Sequence, residues 1–378
     1  MAAPKLRFKE FDQIWDNLKY KDVLTIKYGK DHKLLNEGEF PVYGTGGVMR
    51  YADQYLHDGE SILIGRKGTI DQPKYVNEKF WTVDTLFYTQ IKDNSIPLFL
   101  YQHALQVNWL GLNEATGVPS LNTTSINNVD IALPSKEEQT KIATFLSAVD
   151  EKISQLSQKL HLLGQYKQGM MHKLFSQQLR FKADDGSEFG DWEDKPLNEI
   201  ACKNTIKNKD GSITEVLTNS AIQGIIKQSD YFEREIVTES NLIGYYLVNV
   251  NDFVYNPRIS VHAPVGPIKR NKKCLGIMSP LYTVFTIKTG NLNYLEYFFD
   301  CDFWHDYVKS VANSGARHDR MNITNKDFFE MPILYPCLKE QTKIANFLSA
   351  IDQKIDVVSE QLEQAKLWKK GLLQQMFV

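Results

Sequence analysis

Two stretches of this chain, 202 residues apart, are nearly the same. Residues 138–153 read EQTKIATFLSAVDEKI and residues 340–355 read EQTKIANFLSAIDQKI. Carried without a gap over Pro134–Phe175 against Pro336–Phe377, the match holds 19 identities in 42 positions. Weaker echoes bracket it. Leu6-Arg7-Phe8-Lys9 returns as Leu179-Arg180-Phe181-Lys182, each followed by a tryptophan, Trp15 and Trp192. Thr116-Gly117 to Leu121-Asn122 likewise corresponds to Ser314-Gly315 to Met321-Asn322. Such a period is too long for a solenoid, so the repeating unit is domain-sized: a variable segment followed by a near-constant one, present twice.

The constant segments read as long helices. Apolar residues fall at Ile142, Leu146, Val149, Ile153, Leu156, Leu160, Leu163, Met170 and Leu174, in steps of four and three, with Lys167 in one seam position. The copy carries Ile344, Leu348, Ile351, Ile355, Val358, Leu362, Ala365, Leu372 and Met376, with Lys369 in the matching polar slot. This is the seam of a coiled coil. Ser135 with Glu138 three residues on predicts a capping box at the first start; Cys337 holds the second cap position. Such a helix is about 60 Å long and needs a partner helix, for which its own copy is the natural candidate. Residues 179–335 leave the end of one helix and return to the start of the other, which predicts an antiparallel pair. The predicted fold class is therefore α+β: two mixed α/β heads separated by an antiparallel two-helix coiled coil, with a pseudo-two-fold repeat. The boundaries are 1–135 and 179–335 for the heads, 136–178 and 336–378 for the helices. Ser61–Ile64, Phe80–Tyr88, Tyr245–Val250 and Leu281–Ile287 read as strands, and Ile96–Ala104 and Leu292–Val311 as helical pieces.

The motifs argue against an autonomous enzyme. There is no Walker loop, and Tyr43-Gly44-Thr45-Gly46-Gly47 lacks a following helix, so it reads as a structural turn. Tyr255-Asn256-Pro257-Arg258 falls one proline short of the Asn-Pro-Pro-aromatic motif of amino-methyltransferases. Glu193-Asp194-Lys195, with Asp184 and Asp185 upstream, reads as solvated charge rather than a nuclease site. The eight histidines have no metal-ligand spacing, so no metal and no catalytic residue is expected. Cys202, Cys274, Cys301 and Cys337 form no disulfide framework. With no signal peptide and no membrane-length apolar run, the expected location is cytoplasmic.

Charge narrows the remaining classes. Lysine and arginine total 44 against 46 acidic residues, which excludes a uniformly basic nucleic-acid coat. The heads are each near −2, with 14 basic against 16 acidic residues in 1–135 and 16 against 18 in 190–335. Local clusters nevertheless exist. Arg66 and Lys67 lie in a Gly-Arg-Lys-Gly turn, with Arg50 and Lys74 nearby. Arg258, Lys269, Arg270, Lys272 and Lys273, and Arg317, His318 and Arg320, mark the second head. Such side chains on loops can neutralise phosphates or read base edges.

Two variable heads, each followed by a helix opening Glu-Gln-x-x-Ile-Ala-x-Phe-Leu-x-x-x-Asp-x-x-Ile, resemble the specificity subunits of type I restriction–modification systems. The signature stands at Glu138, Gln139, Ile142, Ala143, Phe145, Leu146, Asp150 and Ile153, and again at Glu340, Gln341, Ile344, Ala345, Phe347, Leu348, Asp352 and Ile355. The Leu-Arg-Phe opening leading to Trp, and Gly-Arg-Lys-Gly followed by Phe80-Trp81 and Asp84-Thr85, are also similar to that family. The second head departs from it, with Asn256-Pro257-Arg258 in place of Gly-Arg-Lys-Gly. The resemblance implies a non-catalytic subunit whose heads are target recognition domains, each reading one half of a bipartite site in double-stranded DNA. The helices would act as ruler and docking surface for two methyltransferase subunits, joined by restriction/translocase subunits. S-adenosylmethionine, ATP and Mg would be used by those partners, none by this chain. The alternatives are a two-headed protein-interaction adaptor that does not bind DNA, and a fused methyltransferase or nuclease, against which the absent cofactor motif counts.

Overall fold

The heptad-patterned segments form two unbroken helices, Lys136–Phe175 of 40 residues and Leu338–Met376 of 39. The computed structural model describes residues 4–231, 239–313 and 319–377. They divide into two compact units, Met1–Lys159 with Val358–Val378, and Leu160–Val357. The division falls inside both long helices, so each unit holds a head, the first half of the helix that follows it and the second half of the other. No helix among the described residues is long and apolar enough to cross a membrane.

The seam positions turn inward. Ile142, Leu146, Val149, Leu156, Ile344, Leu348, Ile351, Val358 and Leu362 are buried, and Ile153, Leu160 and Ile355 are half-buried. In the first unit Ile142, Leu146 and Val149 share a core with Leu372, Leu373 and Met376. In the second, Ile344, Leu348 and Ile351 share one with Met171, Leu174 and Phe175. The start of one helix thus lies with the end of the other in each unit. The two polar seam positions are ion pairs: Lys369 Nζ lies 2.5 Å from Asp150, and Lys167 Nζ 2.6 Å from Asp352. Each aspartate also accepts from its own head, from Gln102 at 2.8 Å and from Tyr297 at 2.6 Å.

In the first unit the strands are β1 Asp16–Lys19, β2 Leu24–Tyr28, β3 Phe40–Gly44, β4 Gly47–Ala52, β5 His57–Gly65, β6 Lys74–Thr82, β7 Leu86–Ile91 and β8 Asp130–Leu133. Six form a sheet ordered β2-β7-β5-β6-β3-β4, and β1 pairs with β8. The second unit carries β9 Glu193–Pro196, β10 Ala201–Lys203, β11 Leu217–Ser220, β12 Gly224–Lys227, β13 Tyr246–Val248, β14 Phe253–Tyr255, β15 Ile268–Arg270, β16 Gly276–Met278, β17 Thr283–Ile287 and β18 Pro332–Tyr335. Its main sheet runs β10-β17-β14-β15, while β9 pairs with β18. Ranked along the chain, β10-β17-β14-β15 has the same order as β2-β7-β5-β6, and every pairing in both sets is antiparallel.

Two sequence expectations are corrected. Phe80–Tyr88 is two strands rather than one: the chain turns at Asp84-Thr85, where the Leu86 amide donates to Val83 at 3.0 Å. Leu292–Val311 is likewise two helices, Leu292–Asp300 and His305–Val311. The Trp304 indole folds back to donate to the Phe299 carbonyl at 3.2 Å, as Trp109 does to Ala104 at 2.9 Å after the helix Pro97–Ala104.

The predicted capping box is also only half made. Ser135 Oγ accepts from the Glu138 amide at 3.4 Å, but the Glu138 carboxylate turns elsewhere. It is 1% exposed and takes Arg7 on both oxygens at 2.7 Å, with the Trp15 indole donating at 3.2 Å. The second unit repeats the arrangement. Glu340, fully buried, receives Arg180 at 3.1 and 2.8 Å and Trp192 at 3.0 Å. Both guanidiniums lie 5.9 Å from the ring centroid of their tryptophan. The next residue follows suit: Gln139 accepts from the Ile96 amide and Gln341 from that of Asn291, both at 2.8 Å. The Leu6 amide donates to Gln375, and that of Leu179 to Lys173, which are equivalent carbonyls in the repeat.

Removing the arginine would leave a buried carboxylate uncompensated. Arg7→Ala and Arg180→Ala are each expected to destabilise the protein by about 3 kcal/mol in chemical denaturation, and lysine to restore only part of this because it cannot span both oxygens. A second expectation concerns acid. His103 Nδ1 lies 2.9 Å from the Tyr20 hydroxyl, and burial lowers its pKa from 6.5 to about 4. The unfolded chain therefore binds the proton more readily. This contribution is whole above about pH 6.5 and is lost, up to about 3 kcal/mol, as pH falls towards 4. A pH series of urea midpoints should show the decline, and His103→Gln should flatten it.

Candidate nucleic-acid interface

In the first unit β5 runs into the Gly65-Arg66-Lys67-Gly68 turn, which is held from two sides. The Arg66 and Lys67 amides donate to Thr85 at 2.9 and 3.2 Å, and the Gly68 amide to Pro119 at 2.9 Å. The Leu121 amide closes the turn on the Arg66 carbonyl at 2.9 Å. A Cβ on Gly65 would stand 2.1 Å from the Thr69 oxygen, and Gly68 has φ +96°, so both glycines are required by the turn. The backbone is fixed while the Arg66 and Lys67 side chains are exposed. Arg66 lies over the exposed ring of Tyr28 at 5.5 Å and donates to the Asp84 carbonyl at 3.0 Å.

The glycine-rich stretch is a turn, as expected from its sequence, and forms the β3–β4 hairpin tip. Its position was not legible. Thr45 Oγ1 lies 3.9 Å from where a Cβ on Gly68 would stand, and Lys74 Nζ 3.3 Å from that of Gly47. The tip thus joins the Arg-Lys turn to Lys74. Arg50 is used differently: half-buried on β4, it donates to the Leu35 carbonyl at 3.0 Å and steadies that loop. Among the described residues, none of Arg50, Arg66, Lys67 and Lys74 has a carboxylate within 4.0 Å.

The second unit handles its cations otherwise. Lys269 pairs with Asp300 at 2.5 Å, while Arg270 and Lys272 reach Glu296 at 3.5 and 2.6 Å. These three tie β15 and the residues after it to the helix Leu292–Asp300. Lys273 is exposed, with no carboxylate within 4.0 Å among the described residues. Arg317 and His318 lie outside the described residues. Asn256-Pro257-Arg258, which differs in sequence from Gly-Arg-Lys-Gly, follows β14 as that turn follows β5. The Met321 amide donates to the Pro257 carbonyl at 2.8 Å, matching Leu121 to Arg66. Arg258 bridges Arg320 as Lys67 bridges Ser120. Sequence reasoning missed this equivalence because the residues differ while the backbone pairing is kept.

Of the carboxylates set aside as solvated charge, Asp184 and Glu193 are exposed and enter surface ion pairs, with Lys343 at 2.6 Å and Lys195 at 3.4 Å. Among the described residues there is no group of three or more His, Cys, Asp or Glu side chains able to hold a metal.

The chain is similar to known proteins in sequence and in fold. The family model described as "Type I restriction modification DNA specificity domain" matches residues 13–163 and 190–367. A protein of Methanocaldococcus jannaschii named for the specificity subunit of type I restriction enzyme MjaX is 30% identical over 293 residues, 73% of this chain and 65% of that one. The chain thus spans less than two thirds of that relative's length. The type I restriction enzyme MjaVIII specificity subunit of the same organism is 25% identical over 339 residues, 84% of this chain and 76% of its own. The crystal structure of a type I restriction–modification S subunit from M. genitalium superposes with TM-score 0.61 at 16% identity, covering 100% of this chain and 99% of that one. A structure titled for complex assembly and conformational transition of the type I R-M system gives 0.52 at 13% identity, covering 97% and 98%. The last two likenesses are of fold.

The different settings of the first unit's cations predict different losses. Arg66→Ala and Lys67→Ala should each weaken binding of duplex DNA and lower the log–log salt slope by about one. Arg50→Ala should instead lower the unfolding midpoint. Unchanged affinity in a filter-binding salt series would remove Arg66 and Lys67 from the interface.

Proposed function

The chain belongs to the family of type I restriction–modification DNA specificity domains, and from that membership we propose that it is the DNA-reading, non-catalytic subunit of a modification and restriction complex working in the cytoplasm. Each head is a target recognition domain and reads one half of a bipartite, asymmetric sequence in double-stranded DNA. The two long helices form an antiparallel coiled coil that sets the distance between the half-sites. Two methyltransferase subunits dock on it, and restriction/translocase subunits join them. S-adenosylmethionine, ATP and Mg serve those partners.

The observation that carries this reading is the double match of the family, which takes in most of each head and most of the helix behind it. Three structural facts support its finer parts. The Asp150–Lys369 and Lys167–Asp352 pairs join positions exchanged by the 202-residue repeat, as a two-fold antiparallel pair requires. Tyr166 and Trp368 occupy equivalent helix positions and are 51% and 54% exposed, so one kind of partner finds an aromatic anchor twice. Each head also presents a glycine- or proline-shaped turn carrying a cation at the same place in its sheet.

Exchange tests the reading. With residues 1–135 replaced by the corresponding head of a relative, methylated adenines mapped in cells carrying the modification partner should show one half-site changed and the other kept. A change in both halves, or in neither, would overturn it.

A further inference from the structure

The second unit contains a cleft of about 650 Å³, bounded by the β11–β12 hairpin, the segment after β14, and Arg320. Among the described residues its charged lining consists of Arg258 and Arg320, with His262 beside them and no carboxylate. The two arginines are held side by side by the backbone bridge between them. The Met321 and Ile259 amides, donating to Pro257 and Asp319 at 2.8 and 3.0 Å, fix that bridge. One carboxylate, Asp319, serves both, 4.0 Å from Arg258 and 3.6 Å from Arg320. Two cations sharing one anion leave a net positive charge. Among the described residues neither guanidinium makes a hydrogen bond within normal distance, so the forks have donors to spare.

The rest of the lining is neither a phosphate cradle nor an apolar pocket. Asn256, Gln228 and Ser220 bring amide and hydroxyl groups, while Ile222 and Leu281 stand in it 73% and 60% exposed. Asn256 is itself fixed, donating to the Asn219 carbonyl at 3.0 Å and accepting from the Arg258 amide at 3.0 Å. Unengaged forks on a fixed backbone bridge, beside mixed donors, acceptors and apolar surface, match what base edges offer in the major groove: paired acceptors on guanine, amide-readable edges on adenine, a methyl on thymine. A phosphate would need only charge. The neighbouring run 269–272 has that charge, but Asp300 and Glu296 neutralise it.

We infer that Arg258 and Arg320 are the base-reading, specificity-determining residues of the second unit, taking the acceptor edge of a guanine in its half-site, and that Lys269, Arg270 and Lys272 hold the fold. This rests on the DNA-reading function proposed above and names the ligand edge and the residues. Arg258 and Ser120's counterpart Arg320 stand where the first unit has Lys67 and Ser120, so the two heads place different chemistry at one backbone position.

The test uses the chain assembled with its modification partner, carrying Arg258→Lys, Arg320→Lys, or Lys269→Ala with Lys272→Ala. Lysine keeps the charge but not the fork. Each complex is melted to establish folding, then scored by mapping methylated adenines and by competition between targets altered at single bases. The arginine variants should lose roughly tenfold or more of discrimination at one position of the second half-site, with the first half-site unchanged. The lysine pair should keep the site list and melt lower. Retained discrimination in both arginine variants, or equal weakening on every target, would overturn the inference. Exchanging residues 179–335 as a block separates the two levels: if that exchange alters the second half-site while the arginine variants do not, the inference fails and the DNA-reading function stands. If the exchange alters nothing, the function itself falls.

Discussion

Everything in each unit is referred to one buried carboxylate. Glu138 and Glu340 are removed from water at the first turn of a long helix, where an unpaired charge would be prohibitive. Their partners come from the other end of the head: an arginine fork 131 and 160 residues away in sequence, and an indole N–H 123 and 148 residues away. The entry of the head is thereby pinned to its exit. The β1–β8 and β9–β18 pairs run alongside this contact, and the glutamine next to each glutamate fixes the start of a short core helix. The sheets, and the turns that carry the cations, take their positions from that frame.

What was legible in the sequence was whatever has a period. The helices announce themselves through the four-and-three spacing, and the polar breaks at Lys167 and Lys369 are visible as breaks. What the breaks do was not visible, because Asp352 and Asp150 lie on the other copy of the helix. Glu138 was likewise recognisable as part of a helix opening, yet local spacing pointed it at Ser135 and the fold gave it to Arg7. Strands were legible in their apolar cores and not at their ends, since Phe80–Tyr88 keeps its alternation through a turn that hydrogen bonds alone define.

The interface shows the same limit more sharply. Arg66, Lys67, Lys269 and Lys272 are alike as letters. Their difference is made by Glu296 and Asp300, which a helix later in the chain brings against one group and not the other. Type and proximity in sequence therefore marked where cations are, and only the tertiary fold separates those engaged in internal ion pairs from those left facing outward. With overall charge near zero, that separation decides where a polyanion can be met.

The frame has a consequence for how such a chain can change over generations. Each head is secured at its margins, by Arg7, Trp15, Glu138 and Gln139 in one unit and by Arg180, Trp192, Glu340 and Gln341 in the other. Substitutions between those margins are tested against the local core, and against the long helices where Gln102 reaches Asp150 and Tyr297 reaches Asp352. One polypeptide can thus host two tempos of divergence, a slow one at the seams and a fast one between them. A foreign head therefore needs its own arginine and tryptophan at the margins, together with side chains that meet the long helices as Gln102 and Tyr297 do.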